Sequence, residues 1–160
     1  MPTLTAYIAL GGNLGDRHAT LRRAVEMLGE VGRIVVRRVS DFIETPPQGG
    51  PAGQGPYLNA AVEVETDLSP GGLLAALQEI EKSLGRDRHS EQRWGARTCD
   101  LDILMIADKV IDSPNLTIPH PRMHQRLFVL LPLAQIAPQA VHPILGKTVA
   151  QLLAEAEAGR

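Results

Sequence analysis

The stretch from residue 97 to residue 106, RTCDLDILMI, sets two aspartates in strict alternation with apolar residues. In an extended chain, successive side chains point to opposite faces of a sheet, so Asp100 and Asp102 share one face. The other face carries Cys99, Leu101 and Ile103. Aspartates are poor strand formers, and two of them in an otherwise apolar run need a reason beyond solubility. The segment therefore predicts a strand with one buried face and one acidic face.

The residues before this strand are rich in arginine. Residues 86–103 contain Arg86, Arg88, Arg93 and Arg97 together with the aspartate pair. Guanidinium groups are planar donors to phosphate, and Mg²⁺ commonly takes one or two protein carboxylates and completes its shell with water and phosphate oxygens. The arginines alone could form ordinary ion pairs in a surface loop, and the aspartates alone could face solvent on a strand. The combination favours a site for magnesium and phosphate.

Length, charge and cysteine content narrow the class of protein. A chain of 160 residues fits one domain, residues 1–160, which should bury ~70% of its unfolded surface. A net charge of −2 argues against a sequence-independent nucleic-acid binder. The single cysteine, Cys99, excludes an intrachain disulfide. No basic leader and no long apolar run is present, so we expect a soluble protein of a reducing compartment.

The first half of the chain predicts a strand, a glycine turn and a helix, then two more strands. Residues 4–10 predict the first strand. Asp16 is the expected N-cap of a helix that ends near Gly29 or Gly32. One strand is expected in residues 33–44 and another in residues 57–66, with Asn59 facing outward. Residues 45–56 contain four prolines and four glycines, and we predict that this loop is a lid over a site.

The second half predicts three helices and three strands, of which the aspartate strand is one. Ser69 and Pro70 open a helix in the order expected for N-cap and first position, and Gly85 ends it. Short strands are expected at residues 109–111 and 116–118. A helix follows from residue 123 and is interrupted or ended by Pro132. The last helix starts at Thr148 with a capping box. The order of elements predicts an α+β sandwich in which helices cover a largely antiparallel sheet.

A pocket for an acceptor molecule is expected among the few aromatic side chains. Trp94 lies inside the charged loop, an unusual place for a core residue, and Asn59 shares a strand face with Tyr57. An amide offers both a donor and an acceptor to a flat heterocycle. His120 and Arg126 could complete a phosphate site, although a lone histidine is more often structural.

Several segments together resemble one enzyme family. They are residues 6–14 (AYIALGGNL), 44–47 (ETPP), 57–60 (YLNA), 86–103 and 116–128, and the run RWGARTCDLDI at residues 93–103 is the most specific. Over nearly its whole length the chain resembles the 6-hydroxymethyl-7,8-dihydropterin pyrophosphokinases of folate biosynthesis. The resemblance implies a ferredoxin-like α+β fold and Mg²⁺-dependent transfer of the β,γ-diphosphate of ATP to the pterin hydroxymethyl group, which releases AMP. We expect a cytoplasmic monomer that acts on small molecules and binds neither nucleic acid nor membrane.

The resemblance also implies roles for individual residues. Asp100 and Asp102 would hold two Mg²⁺ ions, and Arg86 and Arg97 would contact the migrating diphosphate. ATP would be bound by Gln78, Glu81, Arg88, Trp94, Arg97, Ile103, Thr117, His120 and Arg126. The pterin would be bound by Gly11, Thr45, Pro46, Gln48, Tyr57, Asn59, Trp94 and Phe128, with its ring stacked between Tyr57 and Phe128. Gly12, Asn115 and Pro121 depart from the residues usual in this family, which affects only the expected contacts of ATP and the closure of the loops.

Two rival functions share parts of this pattern. A nucleotidyltransferase can also combine a glycine turn with alternating aspartates that hold two metal ions, but it releases pyrophosphate rather than AMP. An RNA-binding module can use a ferredoxin-like sheet to stack bases on aromatic side chains. The acidic isoelectric point and the absence of an aromatic-rich central strand argue against the second rival.

Overall fold

A computed structural model describes residues 2–13, 15–46, 56–85 and 99–159 of the protein. Its strands are β1 (Leu4–Gly12), β2 (Ile34–Val39), β3 (Ile43–Thr45), β4 (Tyr57–Thr66), β5 (Asp100–Ile106), β6 (Ile111–Ser113) and β7 (Leu116–Ile118). Its α-helices are α1 (Arg17–Glu30), α2 (Pro70–Ser83), α3 (Leu127–Ile136) and α4 (Val149–Ala158), and a 3-10 helix spans Met123–Gln125. Within these ranges, none of the helices combines the length and the apolar content that crossing a bilayer requires.

The main sheet is antiparallel throughout and has the strand order β2, β4, β1, β5. The short strand β3 pairs with β4 at its other end, while β6 and β7 form a separate hairpin. The connections through α1 and α2 make this the strand order of a ferredoxin-like fold. The prediction of an α+β sandwich with a largely antiparallel sheet is confirmed.

Helices cover both faces of the sheet. On one face, β1 contributes Ala6, Ile8 and Leu10 to a core that also contains the apolar stripes of α1 and α2. On the other face, α3 and α4 pack over a second core that includes Ala61 of β4. The expectation that Asn59 faces outward is wrong. Asn59 lies on the side of the sheet that α3 covers, and only 5% of it is exposed.

Residues 33–44 form two strands rather than one because the pairing with β4 is interrupted after Val39 and resumes at Ile43. The Ser40 N–H donates to the Ala61 carbonyl (2.9 Å), and the Ser40 hydroxyl accepts from the Ala61 N–H (2.8 Å). After this interruption β3 runs beside the beginning of β4, with Thr45 opposite Tyr57. Thr45 therefore lies next to the start of β4.

The helix caps were predicted correctly, but the start of the strand expected at residues 109–111 was not. Asp16, Ser69 and Thr148 each accept a backbone N–H from the first turn of α1, α2 and α4. The strand expected at residues 109–111 begins only at Ile111, because a turn closed by the Lys109 N–H and the Ile106 carbonyl (3.0 Å) precedes it.

The prediction that Pro132 interrupts or ends its helix is wrong. The helix α3 continues through Pro132 to Ile136. Proline removes one backbone donor from the helix, here the one that would reach the Phe128 carbonyl. The burial of Val129, Leu130 and Leu133 against the sheet compensates for that loss.

A buried histidine stabilises the connection between α3 and α4. His142 is 4% exposed, and its Nδ1 accepts from the N–H groups of Ile144 (3.3 Å) and Leu145 (3.1 Å). Its ring lies edge-on to that of His124 in the 3-10 helix, with 6.2 Å between centroids. Burial, and secondly the neighbouring His124, lower the pKa of His142.

We predict that His142 makes the protein less stable in mild acid. Below an unfolded pKa of about 6.5 the unfolded chain takes up a proton that folded His142 refuses, so stability is full above that pH and falls as the pH decreases towards the folded pKa. His142→Asn keeps an acceptor for the two N–H groups and removes the proton site. Urea midpoints at pH 7.5 and 5.5 should differ less for this variant than for the unaltered protein. Equal differences would contradict the prediction.

Candidate active site

A cavity of about 130 Å³ opens on the face of the sheet that α3 covers, where β1 ends. It collects side chains from strands that are far apart in sequence and from the segment before α3. The residues that line it are Ala9, Leu10, Gly11, Thr45, Pro46, Tyr57, Asn59, Asp100, Asp102, Leu104, His120, Arg126, Phe128 and Val129. The predicted site residues among them therefore lie around one cavity.

Strand register explains why the two aspartates reach the cavity beside an amide. Gly11 on the central strand β1 is paired with Asp100 on one side and with Asn59 on the other. Two residues earlier, Ala9 is paired with Asp102 and with Ala61. Directly paired residues in an antiparallel sheet share a face, so these two rows lie side by side on the cavity floor.

The aspartate pair has the predicted alternation. Asp102 is exposed and Asp100 is partly exposed, whereas Leu101 and Ile103 are buried on the face covered by α1 and α2. Among the described residues, no cluster of three or more histidine, cysteine, aspartate or glutamate side chains could hold a metal ion. The cavity therefore offers two carboxylates, which suits Mg²⁺ bound largely through water and phosphate oxygens better than a metal caged by protein ligands.

Asn59 is held in one orientation within the cavity wall. Its Nδ2 donates to the Thr45 hydroxyl (2.5 Å) and makes a long contact with the Ile43 carbonyl (3.5 Å). Its Oδ1 lies above Gly11, where an added Cβ would come within 3.1 Å of that oxygen. Because Gly11 has no side chain, it leaves room for this amide. The Asn59 carbonyl oxygen is thereby directed away from Thr45 and along the cavity floor.

His120 and Arg126 reach the aspartates from the segment before α3. The His120 N–H donates to the Leu104 carbonyl (2.8 Å), which fixes His120 beside β5. Its Nδ1 accepts from the Arg122 N–H (3.2 Å), so the neutral ring carries its proton on Nε2. Burial lowers the pKa of His120, the Asp102 carboxylate opposes that effect, and Arg126 and Arg122 lower the pKa further.

Arg126 supplies a positive charge next to this neutral imidazole. Burial lowers the pKa of Arg126 and the Asp102 carboxylate raises it, but a guanidinium stays charged at neutral pH. The Arg126 Cζ lies 5.6 Å from the centroid of the Phe128 ring. The aromatic side and the charged side of the cavity therefore meet at the start of α3.

Four residues expected to bind ATP lie outside the cavity lining. Glu81 is 2% exposed, and its Oε2 accepts from the Leu101 N–H (2.8 Å) on the opposite face of β5. Ile103 is buried in the same core. Gln78 on α2 and Thr117 on β7 are exposed.

The remaining predicted site residues lie outside the described ranges. These are Gln48, Arg86, Arg88, Trp94 and Arg97, and the predicted lid at residues 45–56 falls mostly outside them as well. Four cavity residues were not predicted. They are Ala9, Leu10, Leu104 and Val129. The period-two pattern of β1 would have indicated Ala9, since it lies two residues before Gly11 on the same face.

Comparison with known proteins identifies close relatives of the chain. Residues 7–138 match the model of the family described as 7,8-dihydro-6-hydroxymethylpterin-pyrophosphokinase (HPPK). The chain is 51% identical over 134 residues to the 2-amino-4-hydroxy-6-hydroxymethyldihydropteridine pyrophosphokinase of Bacillus subtilis (strain 168), covering 84% of this chain and 78% of that relative. It is 45% identical to the enzyme of the same name from Methylorubrum extorquens, covering 94% and 92% of the two chains.

Solved structures agree on the fold. A crystal structure of Plasmodium falciparum HPPK-DHPS with pteroate superposes with a TM-score of 0.74 at 17% sequence identity. The match covers 96% of this chain but 42% of that one. At this identity the similarity shows a shared fold, and this chain spans less than half the length of that solved protein.

Proposed function

This chain belongs to the 7,8-dihydro-6-hydroxymethylpterin-pyrophosphokinase family, and we propose that the cavity beside Asp100, Asp102 and Asn59 is its active site. The reaction transfers the pyrophosphoryl group of ATP, its co-substrate, to 6-hydroxymethyl-dihydropterin in folate biosynthesis. The pterin hydroxymethyl oxygen forms a bond to the β-phosphorus of ATP. The bond between that phosphorus and the oxygen bridging to the α-phosphate breaks, and AMP leaves.

One observation carries the assignment of the site: two carboxylates and one buried amide lie in adjacent rows of the same cavity. The carboxylates suit the phosphate end of ATP through a metal, while the amide suits a flat ring with polar edges. In phosphoryl transfer a protein contributes mainly alignment and charge stabilisation. A site that holds donor and acceptor side by side needs no nucleophilic side chain.

The donor set fits magnesium. Asp100 and Asp102 provide oxygen ligands from one strand face, and we propose that they hold two Mg²⁺ ions together with ATP. Bound there, magnesium would neutralise charge on the β- and γ-phosphates. His120 would donate from Nε2 and Arg126 from its guanidinium to the same phosphates. Arg86 and Arg97 are proposed to contact the migrating diphosphate, with Arg88 supporting the nucleotide.

The opposite side of the cavity suits the pterin. We propose that the ring stacks between Tyr57 and Phe128, both of which are partly buried cavity residues. Asn59 would hydrogen-bond the polar edge of the ring, and the Thr45 backbone would add a second contact. Gly11 and Pro46 complete the wall, and Gln48 and Trp94 are proposed to contact the pterin as well.

ATP has further proposed contacts outside the cavity. Gln78, Glu81, Ile103 and Thr117 remain predicted nucleotide positions. Glu81 already accepts the Leu101 N–H and is buried. We therefore expect Glu81 to act on the nucleotide through the position of β5 rather than as a solvent-exposed ligand.

The state of the protein in the cell is also a proposal. We propose one domain over residues 1–160 that acts as a monomer in the cytoplasm, where ATP is available. The two cores on opposite faces of a shared sheet support one domain. The buried thiol of Cys99 is compatible with a reducing compartment.

Product analysis tests the proposed function. The protein is incubated with ATP, Mg²⁺ and 6-hydroxymethyl-dihydropterin, and the nucleotide products are separated. We expect AMP and the pterin diphosphate in equal amounts, with no reaction when the pterin is left out. Release of pyrophosphate would indicate the rival nucleotidyltransferase and would overturn the proposal.

A further inference from the structure

Arg17, the first residue of α1, connects the two strands that form the pterin side of the cavity. One guanidinium nitrogen, Nη2, donates to Glu44 Oε1 (2.5 Å), and the other, Nη1, donates to the Pro56 carbonyl (2.9 Å). The Arg17 side chain is 24% exposed, whereas that of Glu44 is 57% exposed. The residue is thus mostly covered and bonds two segments that lie far from it in sequence.

Both acceptors stand next to residues of the cavity. Glu44 precedes Thr45, and Pro56 precedes Tyr57. Thr45 and Tyr57 form the last pair of a ladder that is only three residues long. Alternation along β3 puts the Glu44 side chain on the face opposite to Thr45, the face that α1 covers. Arg17 therefore braces the open end of this ladder from behind the cavity.

The stability of α1 does not explain an arginine at this position. A positive charge in the first turn of a helix opposes the helix dipole, and after the N-cap Asp16 the first turn of α1 contains no acidic residue. Arg23, farther along the same helix, has the common arrangement, since it pairs with Glu26 and Glu30 on an exposed surface. The contacts of Arg17 with β3 and with Pro56, the residue before β4, are what distinguish it.

We propose that Arg17 is a positioning residue for the pterin, acting through Thr45 and Tyr57. Arg17 does not line the cavity, and its two hydrogen bonds go to Glu44 and Pro56 instead. On the cavity side, the hydrogen bond from Asn59 to the Thr45 hydroxyl holds the same ladder. Arg17 and Asn59 together fix the spacing between Thr45 and Tyr57. The inference rests on the proposed function, because it presumes that these two residues bind the pterin.

The test compares Arg17→Ala with Arg23→Ala as a matched control on the same helix. Loosening a wall that orients one substrate should raise the Kd and KM for the pterin about tenfold in Arg17→Ala, with KM for ATP unchanged within about twofold. Pterin binding is followed by its fluorescence, and thermal unfolding is recorded for each variant. Arg23→Ala should match the unaltered protein. Equal pterin constants in the two variants, or a parallel rise in both substrate constants, would overturn the inference.

Two further variants separate positioning from general destabilisation. Glu44→Gln should raise the pterin constants less than Arg17→Ala, because it weakens only one of the two contacts of Arg17. The double variant should be no worse than Arg17→Ala alone, because Glu44 acts only through its contact with Arg17. Arg17→Lys can reach one acceptor at a time and should recover part of the affinity. Additive effects, or no recovery with lysine, would contradict the role. An unaltered protein that forms no AMP overturns the proposed function itself, whereas normal AMP formation with unaltered pterin binding in Arg17→Ala overturns this inference alone.

Discussion

Replacing Asp102 with asparagine should abolish pyrophosphoryl transfer and leave the fold nearly unchanged. The side chain is exposed in the cavity, so the substitution disturbs little packing. It removes one of two anionic oxygen ligands from a site that is proposed to hold two divalent ions beside a polyphosphate. Loss of metal-based charge stabilisation of this kind should lower kcat on the order of 10³-fold or more. The measurement is AMP formation under saturating ATP and pterin over a range of Mg²⁺ concentrations.

Asp112→Asn is the matched control for this substitution. Asp112 is also an exposed strand aspartate, but it lies in the β6–β7 hairpin and does not line the cavity. Its variant should retain full activity, and both variants should unfold at the same temperature as the unaltered protein. Near-normal turnover by Asp102→Asn at any Mg²⁺ concentration would exclude Asp102 as a metal ligand.

The second large effect is expected from Asn59→Ala. The amide is buried, and a site built to hydrogen-bond a polar ring loses heavily when that partner is removed, so kcat/KM for the pterin should fall about 10²-fold or more. The KM for ATP should remain unchanged because the phosphates are proposed to bind at the other side of the cavity. Losing the bond to Thr45 should also reduce the free energy of unfolding by about 1–3 kcal/mol.

Gln139→Ala provides the control for Asn59→Ala. Gln139 is an exposed amide residue after α3 and lies outside the cavity lining. Steady-state kinetics with each substrate varied in turn distinguish the two variants. If Asn59→Ala raised the KM for ATP as much as that for the pterin, the amide would be a structural element of the whole site rather than a pterin contact.

Strand alternation made the acidic side of the site predictable. The period of two determines which side chains share a face, and the apolar partners of Asp100 and Asp102 left only one face for the core. The period of two could not show at which residue of β5 the alternation of faces fails. The pairing of β1 with β5 shifts between Tyr7 and Ile8, so Leu104 and Met105 both belong to the core under α3.

Contacts between distant segments were not predictable from local patterns. The split between β2 and β3 depends on the hydrogen bond between the Ser40 hydroxyl and the Ala61 N–H. Local propensity does not predict a contact between residues so far apart in sequence. Residues 127–136 are apolar on nearly all sides, so their sequence could not indicate which face of the sheet α3 would cover. Asn59 is buried because α3 covers the face on which this residue lies. Likewise, nothing in the first turn of α1 indicated that Arg17 would reach Glu44 and Pro56.

Asp100 and Asp102 are proposed to hold jointly the metal that binds ATP next to the pterin. Crystals of the protein grown with Mn²⁺, a non-hydrolysable ATP analogue and the pterin would show the metal positions directly by anomalous scattering. We expect two Mn²⁺ ions, each bonded to carboxylate oxygens of this pair and to phosphate oxygens of the analogue. Manganese bound to the nucleotide with neither carboxylate in its coordination shell would contradict the account.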